Sequence, residues 1–77
     1  MKVYVWSASW CPQCGPFKEA LTQRGVDFEV QDADALQDEA VRIGIRSLPT
    51  TVFLDDNGEE MHRIPGNNVA KVMEYLQ

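Results

Sequence analysis

The chain is short of positive charge, of histidine and of cysteine. Its 77 residues hold 7 Lys plus Arg against 12 Asp plus Glu, a formal net charge of −5, with one histidine and two cysteines. A nucleic-acid binder needs a basic stripe to displace counterions from phosphate, and this balance excludes that class. The same deficit argues against docking on an anionic membrane surface. No apolar run approaches the roughly 20 residues that span a bilayer. The opening Met1-Lys2-Val3-Tyr4-Val5-Trp6 lacks a basic stretch followed by a long apolar one, so no secretory signal is expected and a cytoplasmic location is the default. Internal repeats, linkers and low-complexity segments are absent, and the length is that of one small domain, residues 1–77.

Both cysteines fall in one tetrapeptide, Cys11-Pro12-Gln13-Cys14. A disulfide scaffold would spread several pairs to close large loops, whereas this pair closes a loop of two residues and removes little chain entropy. A redox pair, half of a zinc site and an inert pair of thiols remain. A structural zinc needs four ligands. Only His62 is left as a partner within the chain, with carboxylates to complete the set, unless two chains bridge one ion through four cysteines.

The pattern around the motif gives the context. Residues 2–6 are β-branched and aromatic, a strand buried on both faces, followed by a loop at Ser7-Ala8-Ser9-Trp10. From about Pro12 to Arg24, Phe17, Ala20 and Leu21 share a helical face, and Gly25 supplies a stop. Val26, Phe28 and Val30 alternate with Asp27 and Glu29, a half-buried strand. Asp34 with Gln37 three residues on reads as a cap opening a helix to about Ile43, ended by Gly44. Thr50 to Leu54 is a third strand after Pro49. Asp56-Asn57-Gly58 signals a hairpin, with a returning strand over about Glu60 to Ile64. Gly66-Asn67-Asn68 caps a last helix carrying Val69, Val72, Met73 and Leu76 on one stripe. The order β-α-β-α-β-β-α predicts an α/β fold: a four-stranded mixed sheet with a right-handed parallel first unit and helices on both faces.

The motif then lies at the start of the first helix. Unpaired amides and the helix dipole there favour a thiolate, and such positions lower a cysteine pKa from about 8.5 into roughly the 3.5–7.5 range. Cys11 is the expected exposed nucleophile. Cys14, three residues on, reaches back as the resolving thiol. Pro12 fixes φ at the first helical position, and Gln13 adds no charge.

Trp10-Cys11-Pro12-Gln13-Cys14, then Ser47-Leu48-Pro49-Thr50, the hairpin and Gly66, resemble the thioredoxin superfamily over nearly the whole chain. The segment Gly44 to Thr50 is similar to the thioredoxin cis-proline region. The front half, through Gly25-Val26-Asp27-Phe28, resembles the short NrdH-type redoxins and glutaredoxins. The resemblance implies a minimal thioredoxin fold and a thiol–disulfide oxidoreductase that needs no cofactor beyond its own disulfide and holds no metal. It implies that Cys11 and Cys14 are catalytic and that Pro49 is a cis proline beside the disulfide. Trp10, Pro12, Gln13, Leu48, Pro49 and Gly66 would meet the substrate: Trp10 at the rim, the Leu48 backbone pairing with an extended segment, Gly66 allowing close approach. The implied partners are disulfide-containing proteins, with ribonucleotide reductase the NrdH-type client, and a thioredoxin-reductase-type flavoprotein or glutathione as electron source. A monomer is expected. A glutathione-dependent glutaredoxin and a non-catalytic redox-fold binding module are the alternatives.

Two features depart from that family. Val5 stands where thioredoxin has a buried carboxylate, which leaves the base for Cys14 unassigned. Pro65-Gly66-Asn67-Asn68 lacks the second glycine and the acid of a glutathione site, which favours the flavoprotein route. Pro16 predicts a bent or late-starting first helical turn, because its ring cannot donate to, and crowds, the residue-12 carbonyl. Trp6 and Met73 are expected in the core, and Lys18 and His62 at the surface. Arg46 is either a partner-orienting group or a plain surface charge.

Overall fold

The computed structural model describes the whole chain, Met1–Gln77. Its elements follow the expected order: β1 Lys2–Ser7, α1 Cys14–Gln23, β2 Glu29–Asp32, α2 Gln37–Ile43, β3 Thr50–Leu54, β4 Glu60–Pro65 and α3 Val69–Leu76. The sheet order is β2-β1-β3-β4, with β1 and β2 parallel and the other pairs antiparallel.

Strand alternation divides the core. Val3 and Val5 of β1, with Phe53 and Ile64, face α1 and α3 and enclose Phe17, Leu21 and Val72. Trp6 and Val52 face the other way and pack on Ala40 of α2, with Ile43, Ile45 and Leu48 around them. Trp6 is therefore core, as expected. Met73 is only half-buried and stands outside both clusters, so the stripe that α3 buries is narrower than its sequence suggests.

Helix α1 begins at Cys14, two residues later than Pro12, and the reason is Pro16. With Gln13 at the N-cap, the first i→i−4 bond runs from the Phe17 amide to the Gln13 carbonyl at 3.1 Å. Pro16 then falls in the first turn, where a missing N–H costs no helical bond. Gly25 ends the helix at φ +78. Its amide bonds to Thr22 and that of Val26 to Leu21, each at 3.0 Å, a paired closure of the last carbonyls.

That closure corrects the expected second strand. The Val26 amide is committed to α1, so Val26 and Phe28 pack on the core from a loop, and pairing with β1 starts at Glu29. Val30 is 49% exposed on β2, an edge strand of the sheet.

Helix α2 also starts late. Asp34 is not its cap; the Asp32 carboxylate accepts from the Asp34 and Ala35 amides at 2.9 and 3.4 Å, forming a turn before Leu36. Gly44, at φ +79, closes the helix. The hairpin after β3 is wider than a two-residue turn. Asp55 Oδ1 accepts from the Asn57 and Glu59 amides, both at 2.9 Å, and Gly58 takes φ +82. The Asn68 side chain caps α3 by accepting from the Lys71 amide at 3.0 Å.

Candidate active site

The two cysteines sit at the junction of β1 and α1 and are joined by a disulfide, with Cα atoms 5.5 Å apart. That spacing lies within the range a disulfide bridges without backbone movement. Two backbone bonds form the loop. The Cys11 amide donates to the Ala8 carbonyl at 3.1 Å, and the Cys14 amide donates to the Cys11 carbonyl at 3.3 Å. The Gly15 amide has no backbone acceptor. It stays an unpaired donor at the positive end of α1, the kind of group that stabilises a nearby anion.

Burial separates the two sulfurs. Cys14 is 1% exposed, on the face of α1 that carries Phe17 and Leu21, whereas Cys11 is half-buried at the loop surface. Pro12 and Gln13 between them are exposed.

Leu48-Pro49 is a cis peptide bond. Pro49 is wholly buried and Leu48 half-buried. Two bonds hold this loop: Thr50 Oγ1 donates to the Ser47 carbonyl at 2.6 Å, and the Gly66 amide donates to the Pro49 carbonyl at 2.8 Å. Gly66 has φ +88 and open space where a Cβ would project. The backbone groups of Leu48 make no hydrogen bond within the chain.

Trp10 is 66% exposed. Its indole Nε1 donates to Asp34 Oδ1 at 3.1 Å, which fixes the ring against the turn before α2. Trp10, Asp34, Val41, Ile45, Arg46 and Leu48 border a groove of about 560 Å³. A second hollow, of about 520 Å³, lies between the sheet and α2 around Trp6, Leu36 and Ile43; neither cysteine lines it. Arg46 is exposed beside the first groove and forms no ion pair.

Several placements were not anticipated. Asp34 orients Trp10, a pairing between residues 24 apart that no local spacing signals. Lys18 is part-buried, with Nζ 3.5 Å from the Ser7 hydroxyl, rather than free in solvent. His62 is exposed on β4, as expected, but stacks on Tyr75 of α3 with ring centroids 4.5 Å apart. Val5, at the position of the family carboxylate, is fully buried beside Thr51, its cross-strand partner. No group of three or more His, Cys, Asp or Glu side chains is arranged to hold a metal ion.

Comparison with known proteins agrees with this geometry. A family model described as a thioredoxin-like domain matches residues 2–77. The chain is 33% identical over 69 residues to the SPbeta prophage-derived thioredoxin-like protein YosR of Bacillus subtilis, covering 86% of each chain. It is 34% identical over 58 residues to the glutaredoxin-like protein NrdH of Escherichia coli, covering 71% of this chain and 72% of that one. Among solved structures, Fasciola hepatica thioredoxin superposes with a TM-score of 0.80 at 32% identity, over 96% of this chain and 75% of that one.

Proposed function

Because the chain belongs to the thioredoxin-like family, we propose that it is a dithiol–disulfide oxidoreductase that reduces protein disulfides through Cys11 and Cys14. The observation that carries this reading is the asymmetry of the pair: a bonded disulfide with Cys11 half-buried at the loop surface and Cys14 1% exposed behind it. A nucleophile must be reachable by a bulky substrate, and a resolving thiol must be shielded from it.

The cycle balances without a cofactor. The Cys11 thiolate attacks one sulfur of a substrate disulfide; that bond breaks and its electron pair leaves on the other substrate sulfur. Cys14, as thiolate, then attacks the Cys11 sulfur, expels the second substrate thiolate and leaves the Cys11–Cys14 disulfide. Two electrons have passed to the substrate, and an external dithiol or thiol restores the reduced pair.

Trp10, Pro12, Gln13, Leu48, Pro49 and Gly66 form the docking rim in this reading. An extended segment of substrate pairs with the free Leu48 backbone groups, and its side chains enter the groove beside Trp10. The Leu48 amide and carbonyl without internal partners support that placement. The protein acts as a cytoplasmic monomer of one domain, with a thioredoxin-reductase-type flavoprotein as its electron source and ribonucleotide reductase as a client. The flavoprotein route is favoured over glutathione because Asn68 Oδ1 is taken up by the Lys71 amide and no acid stands beside it.

The test is insulin-disulfide reduction by the purified protein in two arms, one driven by a thioredoxin reductase and one by glutathione with its reductase. The reductase arm is expected to sustain turnover that Cys11→Ser abolishes. Turnover in the glutathione arm alone would transfer the protein to the glutaredoxin class, and full activity of Cys11→Ser would refute the site.

A further inference from the structure

The Lys18 ammonium is tethered at the foot of the disulfide loop. Nζ lies 3.5 Å from Ser7 Oγ in a part-buried setting, and Ser7 is 3% exposed. Lys18 stands four residues after Cys14 on α1. Residues at that spacing share a helix face, with Cβ atoms about 5–6 Å apart. Helical side chains lean toward the N-terminus, so the lysine stem runs back toward the Cys14 turn. Ser7 ends β1, and its neighbour Ala8 holds the Cys11 amide.

Cys14 needs such a charge. When a reductant thiolate attacks the Cys11 sulfur, the Cys11–Cys14 bond breaks and its electron pair leaves on Cys14, which is 1% exposed. An uncompensated thiolate in that setting is disfavoured by desolvation. The two central strands, β1 and β3, offer no ion on this side. Val5 and Thr51 are both fully buried and uncharged, and β3 carries no titratable group.

The other charged groups around α1 are engaged or lie elsewhere. Asp32 of β2, in register with Ser7, accepts the Asp34 and Ala35 amides. Asp34 accepts the Trp10 indole. Glu19, next to Lys18, is exposed. Lys71 and Glu74 of α3 border a surface hollow with His62 and Tyr75 on the β4 side of the sheet.

We propose that the Lys18 ammonium, held by Ser7, is the positioning charge that stabilises the Cys14 thiolate, both as leaving group and as resolving nucleophile. Lys18 stays protonated throughout, and no proton passes through it. The inference rests on the dithiol cycle proposed above.

The test mixes reduced protein with one equivalent of an aromatic disulfide whose released thiolate absorbs visible light. A first phase reports attack by Cys11. A second reports displacement of the remaining reporter by Cys14 as the Cys11–Cys14 bond forms. Lys18→Met is expected to raise the pH midpoint of the second phase by about one pH unit, with a roughly tenfold slower second phase at pH 7, and to change the first phase less than twofold. Lys18→Arg restores the midpoint, and Ser7→Ala gives an intermediate shift. A wild-type midpoint in Lys18→Met, or equal effects of Lys18→Met and Lys18→Arg, would overturn the proposal. Absence of any second phase in the wild-type protein would instead overturn the dithiol cycle, and the Lys18 role with it.

Discussion

Thr51 is a polar residue in an apolar place. It lies between Val5 of β1 and Ile64 of β4 in the ladder and is fully buried. Its Oγ1 has no hydrogen-bond partner, a condition shared among buried side chains only with Trp6 Nε1. An unpaired buried hydroxyl costs about 1–3 kcal/mol of desolvation, and valine has nearly the same shape without it. Thr51→Val is expected to stabilise the oxidised protein by about 1 kcal/mol, a rise of roughly 4–8 °C in Tm for a domain of this size. Thermal unfolding followed by circular dichroism checks this; a fall in Tm would show that the hydroxyl is satisfied. At the candidate active site, the cysteine pair was legible from its own motif, whereas the proline loop was read through the resemblance of Gly44 to Thr50 to the thioredoxin cis-proline segment. The Trp10–Asp34 and Lys18–Ser7 contacts were not legible, since folding joins residues 24 and 11 positions apart.

Between elements, Arg63 fastens β4 to the end of α2. Its guanidinium donates to the Ile43 and Gly44 carbonyls at 2.7 and 3.2 Å and grips both oxygens of Glu60 at 2.6 and 2.7 Å. The Glu60 carboxyl is held below its ordinary range, first by the hydrogen bonds from Arg63, against an opposing desolvation. A carboxylate with a depressed folded pKa stabilises the fold above its unfolded pKa of about 4.3, and that contribution is lost as pH falls through the folded value. Arg63→Met is therefore expected to cost about 1–2 kcal/mol at pH 7, with the gap from wild type narrowing below about pH 4. Urea unfolding at several pH values measures it, and a gap independent of pH would remove Glu60 from the account. Strand composition, the Asp56-Asn57-Gly58 hairpin signal and the apolar stripe of residues 69–76 sufficed to find β1, β3, β4 and α3. Alternation misplaced the start of β2, and the capping pattern that of α2, where amides were already spoken for. Alternation in residues 26–30 could not reveal that Val26 closes α1, and Asp34 looked like a cap until Asp32 took the turn amides.

As a whole, the molecule is a thin body of about 31 × 31 × 16 Å that holds a single disulfide where β1 meets α1. The sheet and three helices bury Cys14, tie the Pro49 loop to the end of β4 through Gly66, and leave Cys11 within reach of a partner. The net charge of −5 leaves few cations to stabilise an anion, so a thiolate here depends on local amides and Lys18. The proposed cycle turns on an acidic Cys11 whose sulfur is accessible while that of Cys14 is not. Alkylation of the fully reduced protein across a pH series, with the modified residue located by mass spectrometry, tests that directly. The predicted result is modification at Cys11 with a midpoint clearly below the ordinary thiol value of about 8.5, and Cys14 left untouched in the folded protein. A midpoint at or above that value, or alkylation of Cys14 before Cys11, would contradict it.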